Sequence, residues 1–345
     1  MIPITGNTSF ADARQTKFPP VWTHTAIMSW NPASTAIIGS GAIGIYYGAR
    51  LAAAGHDVRF LVRSDADAVR AHGLRVDSIH GDLHLPAVRS ATSAGEIGPV
   101  DLVVVAWKTT SNHHLETTLR PLLHEHTRVL TLQNGLGNCE RIARITGSQR
   151  VLGGLCFVCL NRIGPGHVRH TADGRVSIGG WRPDARPDAD TIAALWTSAG
   201  IHTSCTLDLE EAQWEKLVWN IPFNGLCIAE GGVTTDLLLA NPRTCDGVRE
   251  IMREVIHAAR ALGHPLRDAL VEEYIERTRL IGGYRPSSLI DYLEGREIEM
   301  DAIWAEPIRR ARAVGAAMPA TAALLERIRQ RCAAAAPAAP LPPGD

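Results

Sequence analysis

STAIIGSGAIGIYYGARLAAAG, residues 34–55, reads as a short apolar strand, a glycine turn and a helix built from good formers. The turn is Gly39-Ser40-Gly41-Ala42-Ile43-Gly44, the G-x-G-x-x-G spacing of a dinucleotide-binding crossover. In such a turn the first glycine reverses the chain, the second lets backbone approach a pyrophosphate, and the third lets helix pack on strand. The helix then aims free N–H groups at the phosphates. Gly55 is a suitable helix C-cap, and the apolar run DVRFLVR, residues 57–63, follows it as a second strand. Strand, turn, helix, strand is the whole unit, whereas glycine spacing alone is weak in a chain with 31 glycines.

With 345 residues the chain exceeds one ordinary core and predicts two domains. Its 35 basic and 36 acidic residues leave a net charge of −1, which gives no footprint for nucleic acid or an anionic membrane. A small-molecule partner is expected. Seven cysteines, an odd number, fit a reducing, cytoplasmic compartment better than a disulfide framework. Cys156 and Cys159 form a C-x-x-C, but on a strand residues three apart face opposite ways, so no metal site is expected. No apolar run is long enough to span a bilayer. Residues 1–33 read as an N-terminal extension without the apolar core of a secretory signal, and residues 333–345 as a loose Ala/Pro tail.

The pattern predicts an α/β fold: an N-terminal Rossmann-type doubly wound sheet over residues 34–206 and an all-helical domain over residues 207–332. A short helix at 64–72 and a β excursion at 74–88 precede VDLVVVAW, residues 100–107, a strand buried on both faces. A helix near 115–123, a strand at 128–132 and a helix at 137–145 complete the doubly wound sheet. Residues 151–180 read as an antiparallel edge with turns at 164–166 and 172–174; a helix at 188–199 and a strand at 201–206 close the domain. The cleft between the two domains is the natural active site. Apolar positions on the C-terminal helices leave room for a homodimer face.

Arg63 ends the second strand, where an arginine accommodates the 2′-phosphate of NADP; Asp65 is the one nearby feature that argues for NAD. Lys108 and Asn134 each follow a strand at the carboxyl edge of the sheet, where ligands of open α/β folds bind, although such polar residues also serve as ordinary caps and turns. In EKLVWNIPFN, Lys216, Asn220 and Asn224 recur every fourth residue and so share one helix face amid apolar neighbours. Buried asparagines need partners, and a substrate or another helix could supply them. Pro222 removes one helical hydrogen bond and predicts a kink. A lysine in a partly desolvated pocket loses proton affinity and suits general acid catalysis; the alternative is an exposed lysine.

GSGAIG, Arg63, WKTT, LQNGLGN, KLVWNIPFN and PSSLIDYLEGREIEMD, in this order across residues 35–325, resemble the ketopantoate reductase family. The resemblance implies reduction of the ketone of a 2-keto acid, 2-dehydropantoate to pantoate, with NADPH. It places the proton donor at Lys216 and the substrate-holding asparagines at Asn220 and Asn224. It also places Lys108 and Asn134 at the cofactor cleft, and Glu299 near the nicotinamide end. The family's substrate serine falls on Ser287, with Ser288 as the competing register. Two features depart from the family pattern: a further substrate asparagine is replaced near Thr234 with Glu230 close by, and the N-terminal extension is atypical. A same-fold reductase of another 2-keto or β-keto acid, and a non-catalytic NADP-binding sensor, are the rival readings.

Overall fold

The computed structural model describes residues 30–335. Strand β1 (Ser34–Ile38), helix α1 (Ala42–Ala53) and strand β2 (Asp57–Leu61) form the expected parallel crossover. Helix α2 (Ala66–His72) leads to β3 (Leu74–Ser78) and β4 (Leu83–Leu85), an antiparallel pair, and β5 (Arg89–Ala91) returns beside β2. Helix α3 (Ala94–Ile97), β6 (Leu102–Val105), α4 (Leu115–Leu119), β7 (Arg128–Thr131) and α5 (Asn138–Thr146) follow. The parallel strands run in the order β5-β2-β1-β6-β7, with β8 (Val151–Gly164) added parallel to β7. The order reverses direction between β1 and β6, and ligands of such sheets sit in the crevice beyond the strand ends at that point.

The two-faced burial expected of a parallel sheet is present in β6. Its four residues, Leu102, Val103, Val104 and Val105, are fully buried. Leu102 and Val104 join one apolar cluster with Ile37, Tyr47 and Trp196, while Val103 and Val105 join another with Ile38, Leu119 and Ile142. Each such side chain contributes about 1.5–3 kcal/mol by leaving water. Polar substitution anywhere in β6 therefore strikes one core or the other.

Two expectations about residues 151–180 need correction. Strand β9 (His167–Gly180) does pair antiparallel with β8 around the turn at 164–166, but it is not an edge, because β3 pairs parallel on its far side. The β excursion at 74–88 thus closes onto the sheet. Residues 172–174 do not turn the chain; β9 runs through them with a bulge against β8. Helix α6 (Arg186–Ser198) and β10 (Thr203–Cys205), which lies parallel to β9, complete this half of the chain.

The remainder is helical: α7 (Leu209–Ala229), α8 (Thr235–Ala240), α9 (Pro242–Ala261), α10 (Leu270–Ile281), α11 (Ser287–Leu293), α12 (Glu306–Ala313) and α13 (Pro319–Ala335). Their core centres on Trp214, Val218, Ile221 and Phe223 of α7. Asp208 caps α7 by accepting the Glu211 N–H at 2.9 Å. The helix stays unbroken through Pro222, and the indole of Trp304 donates to the Ile221 carbonyl one residue earlier at 3.1 Å. Helix α13 continues to Ala335, past the expected start of the tail. The first 29 residues, most of the expected extension, lie outside the described residues.

The two halves interlock at the loop after β7. Leu136 inserts into the helical core, its N–H donates to the Ala302 carbonyl at 3.0 Å, and a Cβ at Gly135 would lie 2.3 Å from that same oxygen. That close approach, with φ of +81°, requires glycine and sets Asn134 against α7.

Candidate active site

The glycine turn is built by backbone alone. A Cβ at Gly39 would meet the Trp107 nitrogen at 2.4 Å, and one at Gly44 would meet the Gly39 carbonyl at 1.9 Å. Gly41 has nothing within 4 Å of its Cβ position. Ser40, Gly41, Ala42 and Ile43 thus bound an open cradle at the N-terminus of α1, where no side chain caps the first-turn N–H groups. Open space at the middle glycine, next to unclaimed donors and a positive helix end, fits a pyrophosphate.

Arg63 is exposed just beyond β2. Asp65 is not free to hold ribose hydroxyls: it is buried, and its carboxylate accepts from Arg162 at 2.6 Å and from the Gly166 N–H at 3.0 Å. The residue that could have argued for NAD is therefore committed to joining α2 to the β8–β9 hairpin.

A chain of contacts runs from the glycine turn along the sheet rim. Trp107 packs under Gly39, its carbonyl accepts from Gln133 Nε2 at 3.1 Å, and Asn134 follows Gln133. The Lys216 Nζ donates to Asn134 Oδ1 at 2.9 Å and to the Cys156 carbonyl at 2.8 Å. Lysine, Asn134 and Asn220 together line a small cleft with Gln133, Gly135 and Gly154. Burial holds the Lys216 ammonium below the ordinary lysine range, with Cys156 and Glu299 pulling it partly back.

Asn220 is buried, and its carboxamide makes no hydrogen bond among the described residues. Its amide opens on the cleft it lines, where a ligand can pair with it. Asn224 differs: Nδ2 donates to the Asn220 carbonyl at 3.0 Å, and Oδ1 accepts the Ser288 N–H at 2.9 Å. It ties α11 to α7. Ser288 is buried in that contact, whereas Ser287, at the start of α11, keeps its side chain exposed.

Lys108 pairs with Asp291, whose buried carboxylate also accepts from Arg296 at 3.0 Å. Glu299 is buried and accepts the Thr109 N–H at 2.7 Å. Burial pushes its carboxyl above the usual range, and the Thr109 N–H and the Lys108 charge oppose that shift. The strand-end segment Lys108-Thr109 thus meets two carboxylates of the helical half. The one signal of Asp291 in the sequence is that it is the only charged residue of SSLIDYL. The Cys156 carbonyl left no trace in side-chain patterns.

Glu230 is bound to Arg327 of α13 at 2.5 Å, so its charge is balanced rather than offered to an anionic ligand. Thr234 donates to Asp236 beside it. Among the described residues no cluster of three or more His, Cys, Asp or Glu side chains could hold a metal ion, and no helix is long and apolar enough to cross a membrane.

Comparison with known proteins meets this geometry. The family model described as ketopantoate reductase PanE/ApbA matches residues 35–183, and the model of its C-terminal part matches residues 208–331. The chain is similar to a 2-dehydropantoate 2-reductase of Nostoc sp., 39% identical over 84% of this chain and 92% of that one. A solved 2-dehydropantoate 2-reductase from Geobacter metallireducens superposes with a TM-score of 0.84 at 44% identity, covering 86% of this chain and 99% of that one. A D-mandelate dehydrogenase with NADH and anilino(oxo)acetate shares the fold, with a TM-score of 0.81 at 21% identity over 87% of this chain and 99% of that one. Two family models spanning both halves, and relatives this similar over nearly their full length, show that the chain belongs to the ketopantoate reductase family of oxidoreductases.

Proposed function

We propose that the protein is an NADPH-dependent reductase of a 2-keto acid, converting 2-dehydropantoate to pantoate. The observation that carries this reading is the Lys216 ammonium, held by Asn134 Oδ1 and the Cys156 carbonyl in a cleft that Asn220 also lines. The names of the relatives at 39% and 44% identity support the substrate.

Gly39 to Gly44 and the first turn of α1 hold the pyrophosphate, and Arg63 takes a 2′-phosphate, since Asp65 is already engaged. A bound nicotinamide dinucleotide supplies the hydride. Lys216 donates its proton to the oxygen of the ketone as negative charge develops there, and two fixed acceptors aim the remaining N–H bonds away from that oxygen. Asn220 orients the keto acid, and Asn224 holds α11 so that the Ser287 hydroxyl faces the ligand's polar end. Lys108 and Glu299 set the charge at the cofactor side, with Asp291 restraining Lys108.

The test is consumption of NADPH and, separately, NADH by the purified protein with a panel of 2-keto and β-keto acids. Fastest turnover is expected for NADPH with 2-dehydropantoate. Preference for another keto acid would reassign the substrate, and tight NADPH binding without turnover of any ketone would favour a sensor.

A further inference from the structure

Asp173 is the one non-glycine residue with positive φ among the described residues, at 59°. It lies where β9 slips against β8, between the pairs Phe157/Arg175 and Cys159/Ala172. Bulges of this kind re-aim a side chain, and aspartate tolerates the left-handed region better than most residues. Here the redirected side chain is Arg175. Asp173 Oδ1 accepts the Arg175 backbone N–H at 3.1 Å, and Oδ2 accepts Nε at 3.1 Å. The clamp lays the guanidinium over Phe157, 4.0 Å from the ring centroid, and Lys216 Nζ stands 5.4 Å from the centroid of the same ring.

Two cations thus share one aromatic platform beside the cleft. The Nη1 and Nη2 groups of Arg175 make no hydrogen bond among the described residues, so the outer fork of the guanidinium is unclaimed. Its side chain is 39% exposed and open to a ligand. Lys108, another cation near the rim, is already paired with Asp291. We propose that Arg175 anchors the carboxylate of the 2-keto acid whose ketone Lys216 protonates, and so selects substrates with an anion next to the ketone. This rests on the reductase reading above.

The chemistry suits the pair. In a 2-keto acid the carboxylate adjoins the ketone, so the site needs one donor for the ketone oxygen and a planar two-donor fork for the carboxylate. Lysine supplies the first and arginine the second. The ring and the Asp173 clamp fix the fork in advance, which lowers the entropy lost on binding. Asp173 acts only through Arg175 and is a positioning residue. The charge of Arg175 also contributes to the lowered proton affinity of Lys216.

Steady-state kinetics varying 2-dehydropantoate at saturating NADPH, and varying NADPH at saturating 2-dehydropantoate, test the assignment on the full chain and three variants. Arg175→Gln is expected to raise KM for the keto acid about 10- to 100-fold, the range for losing a charge-assisted hydrogen bond, with kcat and the KM for NADPH little changed. Arg175→Lys should recover part of that loss. Asp173→Gly, which keeps the backbone and removes the clamp, should raise KM by a smaller factor. A KM for Arg175→Gln equal to that of the unaltered protein would overturn the anchor. So would a joint loss of kcat and NADPH binding that Arg175→Lys does not relieve, since that marks a structural role for the hairpin. If the unaltered protein reduces no 2-keto acid, the reductase reading itself fails, and the anchor with it.

Discussion

The glycine turn and the lysine cleft stand at the same sheet rim but are made differently. The turn is backbone, six consecutive residues seated against the Trp107 backbone, and its tolerances are set by Cβ distances of 1.9 Å at Gly44, 2.4 Å at Gly39 and open space at Gly41. The cleft is made of side chains and one carbonyl, gathered from β7, β8 and α7 by tertiary packing. A local motif resists distant change and fails at once when its own atoms are altered. A gathered site depends on every element that delivers a residue to it.

The largest expected effect falls on the gathered site. Lys216→Ala should cut turnover by about 10² to 10⁴ while NADPH still binds, as loss of a general acid does. Next comes cofactor choice: Arg63→Ala should raise KM for NADPH about 10- to 100-fold by removing a charge-assisted contact, and leave KM for NADH in place. Inside the turn the glycines should separate. Gly44→Ala forces a methyl into the Gly39 carbonyl and should cost about 1–3 kcal/mol of stability, read by denaturant titration. Gly41→Ala meets nothing in the folded chain, so its Tm should hold while its affinity for the dinucleotide falls. If both alanine variants behave alike, the backbone account of the turn is wrong.

The smallest effect concerns Asp65. Burial alone would raise its carboxyl, but Arg162, the Gly166 N–H and Ser64 together hold it below the ordinary value. A depressed carboxyl stabilises the folded state above the unfolded-state value of about 3.9 and loses that contribution as pH falls through the lower folded value. Asp65→Asn should therefore be less stable than the unaltered chain near neutral pH, with the gap closing in acid. A constant gap at all pH values would deny the ion pair its role.

The sheet order around β1 was legible because glycine spacing and fully apolar runs such as VDLVVVAW are local signals. The position of β9 was not, because nothing in residues 74–78 announces that they will pair with residues 167–170. The Lys216 stripe was visible as four-residue spacing, yet periodicity cannot say which amides are already satisfied. Asn224 proves committed to α11, and Asn220 keeps its carboxamide unclaimed. Asp173 to Gly174 read as a turn because Asp-Gly favours positive φ, and here that preference serves a bulge instead. Arg175 carried no sequence signal of its place at the cleft, since the ring it lies over, Phe157, and the Lys216 beside that ring are on other elements.

The central claim is that Lys216 donates the proton from a partly desolvated cleft. The pH dependence of kcat for 2-dehydropantoate reduction by NADPH, measured for the unaltered protein and for Lys216→Ala, tests it most directly. Because burial lowers the proton affinity of Lys216, the protonated form is depleted as pH rises through a value below the ordinary lysine value of about 10.4, and kcat should fall there. That alkaline limb should be missing from the residual activity of Lys216→Ala. A limb that persists in the variant, or turnover undiminished by the substitution, would contradict the account.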